Sequence, residues 1–251
     1  MAKQIAVAGK GGTGKTSFCA LLIRYLIERR KTPILAVDAD ANANLNEVLG
    51  MEITSATVSE LIENTKDPEK LPAKMLQETY IEYKLNDSLS EGKDVDLLVM
   101  GGPQGPGCYC FPNNILRKYL GNLEAGYKYI VVDNEAGLEH ISRRTTQNVE
   151  HMFVISDSST RSVRSAGRVK KLLEGIKTPV RNVHLVLTRT DERGIEQLSE
   201  EIGKTGLEYA GFIPNDPMVT EFDRTDRPLI ELPVDSVSVK AVYEILDKIG
   251  I

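Results

Sequence analysis

A chain of 251 residues can bury about 70–75% of the surface it would expose unfolded, and it still falls within the size of one α/β domain. Hydrophobic residues at 41% and charged residues at 27% are ordinary globular values, and 31 basic against 36 acidic side chains leave a net charge of −5, which argues against a surface that coats nucleic acid. No run approaches the roughly 18–20 apolar residues that span a bilayer, and Met1 leads almost at once into a strand rather than a signal peptide, so a cytoplasmic protein without membrane partners is expected.

The first apolar run, Ile5–Ala8, is followed by Gly9-Lys10-Gly11-Gly12-Thr13-Gly14-Lys15-Thr16, which fits G-x-x-x-x-G-K-[ST] between that strand and a helix predicted over Lys15–Arg30. This is the context of a phosphate-binding loop, and it predicts binding of ATP or ADP with Mg2+. The glycines let backbone N–H groups turn inward on a phosphate, and the first helical turn adds unpaired donors and the positive end of its dipole. Lys15 is placed to neutralise phosphate oxygens and Thr16 to offer its hydroxyl to magnesium, with Gly11, Gly12, Thr13, Gly14 and Ser17 completing the cradle.

Farther along, Ile34–Val37 reads as a strand ending in Asp38-Ala39-Asp40. The stretch Asn64–Lys93, with Pro68, Pro72 and many charges, reads as a peripheral insertion. Val95–Met100 is a strand that runs into a segment rich in glycine and proline carrying Cys108 and Cys110, and a helix is expected at Asn113–Leu120. Tyr129–Val132 is a strand followed by Asp133, the candidate to hold magnesium through water. The strands Met152–Ile155, Val183–Leu187 and Tyr209–Ile213 then alternate with helices at Arg161–Leu173, Ile195–Lys204 and Ser238–Ile249. Continuous apolar runs between helical stretches predict a single α/β domain, a mostly parallel sheet with helices on both faces.

Lys10, directly after the first glycine, is not called for by an ordinary phosphate loop. The string Gly-Lys-Gly-Gly-Thr-Gly-Lys-Thr resembles the deviant loop of the MinD/ParA/nitrogenase iron protein class, and Asp38-Ala39-Asp40 with Asn44-Leu45 resembles that class's first switch. The resemblance implies that Lys10 reaches across a twofold dimer to the partner's ATP, that Asp40 orients or activates the attacking water, and that Asp38 supports magnesium or the loop lysine. Both carboxylates follow a strand at the end where ligands bind in open parallel sheets. Ala41 stands where the class usually has proline. Thr188-Arg189 and Pro214-Asn215-Asp216 fall where the class places its adenine pocket.

The three cysteines make a poor disulfide framework and are read as reduced thiols, with Cys19 packed inside the first helix. Cys108 and Cys110 can face one ion, but two ligands are too few for a stable site. The ATP-driven homodimer implied by Lys10 would bring two cysteines from each chain to one axis, where four thiolates suit zinc or nickel. Cys108-Tyr109-Cys110 and the second-switch string Asp133-Asn134-Glu135-Ala136-Gly137-Leu138-Glu139-His140 resemble the CooC-type accessory ATPases of carbon monoxide dehydrogenase, over roughly Gln4 to Pro217. That resemblance implies a maturation ATPase that supports insertion of nickel (Ni2+, with Zn2+ as an alternative occupant) into a client nickel enzyme, carbon monoxide dehydrogenase or acetyl-CoA synthase. An electron-transfer ATPase like the nitrogenase iron protein would need a second cluster cysteine after the second switch, and no cysteine follows Cys110. A spatial organiser of the MinD or ParA kind would need a basic tail, whereas Ser238–Ile251 sets Lys240 and Lys248 against Glu244 and Asp247. No role is assigned to His151 or His184.

Overall fold

The computed structural model describes residues 2–40, 42–53, 56–64, 77–101, 119, 121, 123, 125–134, 149–175 and 180–251. In chain order these give β1 (Lys3–Gly9), α1 (Lys15–Glu28), β2 (Ile34–Ala39), α2 (Leu45–Leu49), α3 (Val58–Asn64), α4 (Gln77–Asn86), β3 (Leu89–Ser90) and β4 (Val95–Val99). There follow β5 (Tyr129–Asn134), β6 (Val149–Asp157), α5 (Thr160–Gly175), β7 (Val180–Thr188), α6 (Glu192–Thr205), β8 (Glu208–Ile213), α7 (Pro217–Arg224), a 3-10 turn at Leu229–Glu231 and α8 (Val237–Ile249).

The strands form one eight-stranded sheet in the order β3-β4-β2-β5-β1-β6-β7-β8. Every pairing is parallel except β3 with β4 at one edge. The chain leaves β1 for β2 on one side and later comes back to lay β6 on the other, so β1 sits at the switch point beneath which open α/β sheets bind ligands.

Alternate residues of each central strand enter opposite layers, as the two-residue period of a strand requires. Ile5 and Val7 of β1, Ile34 and Ala36 of β2 and Phe153 and Ile155 of β6 pack with α1, α2 and α8. On the opposite face Ala6, Ala8, Met152 and Val154 meet α5 and α6, while Leu35, Val37, Ile130 and Val132 meet α4. Helix α1 is buried almost all round, from Phe18 to Leu26, because it lies between the sheet and α8.

Two elements extend past their expected limits for one reason. β2 runs through Asp38 and β5 through Asp133 and Asn134, because the ladder between them continues as Asp38 opposite Asp133 and Ala39 opposite Asn134. Polar residues interrupt an apolar run without interrupting backbone pairing.

The stretch read as an insertion holds α4 and β3 in its described portion. Ile81 and Leu85 of α4 are fully buried against the sheet, and β3 adds the antiparallel edge. The helix expected at Asn113–Leu120 lies outside the described residues apart from Tyr119, whose hydroxyl donates to Asn86 Oδ1 at 3.0 Å. Among the described residues no helix is long and apolar enough to cross a membrane.

Candidate functional site

The phosphate loop leaves the C-terminal end of β1. Gly9 has φ +155, and a Cβ there would stand 2.2 Å from the carbonyl oxygen of Ile155, so β6 presses on the loop where only glycine fits. Gly12 and Gly14 also hold positive φ, at 74° and 89°. Three of the loop's carbonyls are taken up by side chains of the protein. Lys10 O accepts the Thr13 hydroxyl at 2.8 Å, Gly12 O accepts the Arg189 guanidinium at 2.6 Å, and Thr13 O accepts the Thr188 hydroxyl at 2.8 Å.

Gly14 is the N-cap of α1, no side chain caps it, and no acidic residue occupies the first turn. A helix start leaves N–H groups without intrahelical acceptors. Among the described residues no side chain substitutes for them, and Lys15, Thr16 and Ser17 occupy that turn with Lys15 buried. An anion with several acceptor oxygens fits this cradle. Lys10, by contrast, is exposed.

Beside the loop the sheet register sets Asp133 next to Asp38 on one side and to Val7 on the other. The Thr16 hydroxyl donates to Asp133 Oδ2 at 2.6 Å, and among the described residues the buried Asp133 Oδ1 has no hydrogen-bond partner within normal range. Burial raises the Asp133 carboxyl to about 7, the Thr16 hydroxyl opposing the shift and the Asp38 charge adding to it. Burial also raises Asp38, to about 6, against hydrogen bonds from the backbone of Leu45 and Asp40. A hydrated divalent cation fits this donor set, since it would give Asp133 Oδ1 a partner and favour both ionised carboxylates.

Asp38 is occupied within its own chain segment: Oδ1 accepts Asp40 N–H at 3.0 Å and Oδ2 accepts Leu45 N–H at 2.8 Å. It organises the segment that carries Asp40. The Asp40 carboxylate in turn closes a local turn, accepting the backbone N–H of Asn42 at 2.9 Å.

Thr188 ends β7 with Arg189 directly after it, and Thr188 lies opposite Ile213, so Pro214, Asn215 and Asp216 leave the sheet from the neighbouring strand at the same end. The first two residues brace the phosphate loop as just described. The Asp216 carboxylate is committed to protein donors: Oδ1 to Met218 N–H at 2.9 Å, Oδ2 to the Ser236 hydroxyl at 2.6 Å and to Ser238 N–H at 3.1 Å. It caps α7, which begins with Pro217. An Asp-Pro pair opening a helix was the signal available for that role. Pro214 and the exposed Asn215 are what this segment leaves open to a base.

Cys108, Cys110 and His140 lie outside the described residues. Among the described residues no group of three or more His, Cys, Asp or Glu side chains is arranged to hold a metal ion. Cys19 is buried in α1, where loss of solvent and the nearby Asp133 raise its thiol well above the usual range and keep it protonated.

Three residues without an assigned role acquire partners. Asn134 Nδ2 donates to Val7 O at 2.9 Å, tying β5 to the strand that launches the phosphate loop. His151 Nδ1 and His184 Nε2 lie 3.0 Å apart across β6 and β7.

The profile of the CobQ/CobB/MinD/ParA nucleotide binding domain matches residues 5–229. An uncharacterized ATP-binding protein of Methanocaldococcus jannaschii is 41% identical over 98% of this chain and 97% of its own length. The carbon monoxide dehydrogenase accessory protein CooC of Rhodospirillum rubrum is 30% identical over 70% of this chain and 71% of its own. Among solved structures, the septum site-determining protein MinD of Pyrococcus horikoshii complexed with Mg-ADP superposes with a TM-score of 0.72 at 20% identity, covering 100% of this chain and 96% of that one.

Proposed function

The chain belongs to the CobQ/CobB/MinD/ParA nucleotide-binding family, and from that premise we propose that it is an ATPase that closes into a homodimer around ATP, holds a metal ion between paired cysteine loops, and supports nickel insertion into a client enzyme. The observation that carries the reading is a conjunction within one chain: an exposed Lys10 on a phosphate loop whose helix start is uncapped, together with Cys108 and Cys110. The identity to an accessory protein of carbon monoxide dehydrogenase supports a nickel enzyme as the client.

The residues divide the work by position. The first-turn N–H groups of α1 and Lys15 hold the β- and γ-phosphates. Thr16 and Asp133 would hold magnesium, which supplies charge neutralisation at the phosphates when bound. Asp40 positions the attacking water once Asn42 releases its carboxylate, and Lys10 neutralises phosphate charge on the partner's nucleotide. ATP favours the closed dimer only by bridging contacts that the open chains lack, so hydrolysis reopens it. Nickel is cargo in this cycle, held by Cys108 and Cys110 of both chains while the dimer is closed.

The α8 helix gives no support to a lipid-binding alternative. Its Val239, Val242, Ile245 and Leu246 are buried in the core, so these four are not available to a lipid surface.

The test is the nickel content of the full chain with Mg2+ and either ADP or a non-hydrolysable ATP analogue, read together with its sedimentation. The expected result is about one ion per dimer with the analogue, and loss of that ion in a variant carrying both Cys108→Ala and Cys110→Ala. Equal nickel binding by that variant, or one ion per monomer regardless of nucleotide, overturns the reading.

A further inference from the structure

A nucleotide can move a distant loop only through contacts that differ between its bound states. Asp38 makes contacts in two directions. Its carboxylate accepts the backbone N–H groups of Asp40 and Leu45. Its backbone carbonyl accepts the N–H of Met100 at 2.8 Å, just past the end of β4. The segment that continues from there carries Cys108 and Cys110.

The same point of departure is gripped from α3. The Ser59 N–H donates to Met100 O at 2.9 Å, and the Ser59 hydroxyl donates to Gly101 O at 3.2 Å. Ser59 is buried, so these bonds are shielded from competing water. The helix start that presents Ser59 is fixed by a reciprocal cap, with Thr57 N–H donating to Glu60 Oε2 at 2.9 Å and Glu60 N–H donating to Thr57 Oγ1 at 3.3 Å. Gly101 has φ +70, and a Cβ there would stand 2.6 Å from Thr57 Oγ1. Backbone angle and space together require glycine at the contact.

From this geometry we infer that the contact of Thr57 and Ser59 with Met100 and Gly101 is a latch through which the first switch sets the starting position of the cysteine segment. Ser59 is a positioning residue for metal capture rather than a ligand. The inference rests on the metal-binding reading above and adds its route. When Asp40 turns toward nucleotide, the N–H bonds on the Asp38 carboxylate are remade. The Met100 amide hangs from the same residue, and Ser59 holds the next carbonyls in line. Loss of the Ser59 hydroxyl should therefore leave each binding site in place and uncouple them.

The experiment is a nickel titration of the full chain with Mg2+ and either ADP or a non-hydrolysable ATP analogue, for wild type, Ser59→Ala, Gly101→Ala and the Cys108→Ala/Cys110→Ala pair. Wild type should show nickel affinities differing about tenfold or more between the two nucleotides, within the usual span of allosteric coupling. In Ser59→Ala that ratio should fall below about threefold while affinity for the ATP analogue moves by less than about threefold. Gly101→Ala should lose the ratio too, because its Cβ drives the segment off Thr57.

A wild-type ratio that survives in both latch variants overturns the latch and leaves the metal reading standing. Loss of the ratio accompanied by loss of ATP-analogue affinity also overturns the latch, because the effect then runs through the nucleotide site. A wild type whose nickel affinity ignores nucleotide, or undiminished nickel binding by the cysteine variant, overturns the metal reading and the latch with it.

Discussion

Asp133 and Asp38 are 1% exposed, lie opposite each other across β5 and β2, and are both raised by burial, to about 7 and about 6. A carboxylate raised in the folded state makes folding less favourable wherever the unfolded chain would be ionised, because folding must then take up a proton or bury the charge. The penalty is absent below the unfolded value of about 4 and complete above the folded value. In magnesium-free buffer, stability should therefore rise as pH falls from about 7 to about 5, until other groups dominate. Asp133→Asn should be the more stable protein at about pH 8, by on the order of 1–2 kcal/mol, and should flatten that slope. Urea midpoints across this range check it. A flat wild-type profile, or a variant less stable at high pH, contradicts the assignment. Added magnesium should reverse the trend in wild type, because the cation favours the ionised pair.

Secondary elements depend on side chains whose roles look different from the chain alone. Asp216 falls in a segment expected to touch adenine, yet its carboxylate joins the start of α7 to Ser236 and Ser238 at the start of α8. Asp216→Ala should destabilise the fold by about 2–4 kcal/mol, since buried donors on two helix starts lose their acceptor. A loss under about 1 kcal/mol in urea unfolding, with an unchanged denaturant slope, would show that water or another group replaces it. The Asp-Pro pair was readable as a helix start. The two serines were not, because nothing in their spacing says which loop folds back over Asp216. The same holds for α4, whose Ile81 and Leu85 are buried although the surrounding stretch is rich in charge. A short helix can be fixed by two residues in contact with a sheet even when its composition reads as surface.

For the whole molecule, the proposed homodimer assigns the exposed Lys10 a role in association. Lys10→Ala should still bind ATP, because Lys15 and the start of α1 belong to the same chain, and it should remain a monomer when wild type with a non-hydrolysable ATP analogue sediments as a dimer. A variant that dimerises normally would remove the basis for a shared nucleotide site. Binding alone should be visible in both proteins as thermal stabilisation. At a hundredfold excess over the dissociation constant this amounts to about 2.7 kcal/mol, or roughly 5–10 °C for a chain of this size.

The phosphate loop, the parallel sheet and the acids at strand ends were legible from the chain because their determinants are local. Glycines that permit positive φ, a strand of β-branched residues and a helix of periodic apolar residues each act within a few neighbours. Register and handedness then act over distances no local pattern records. The position of Asp38 opposite Asp133, the bracing of the loop by Thr188 and Arg189, the Ser59 grip on Gly101 and the pairing of His151 with His184 all join residues from separate elements. Their alignment follows from how the apolar faces of neighbouring strands and helices interlock, because a one-residue shift would turn every buried side chain to the other face.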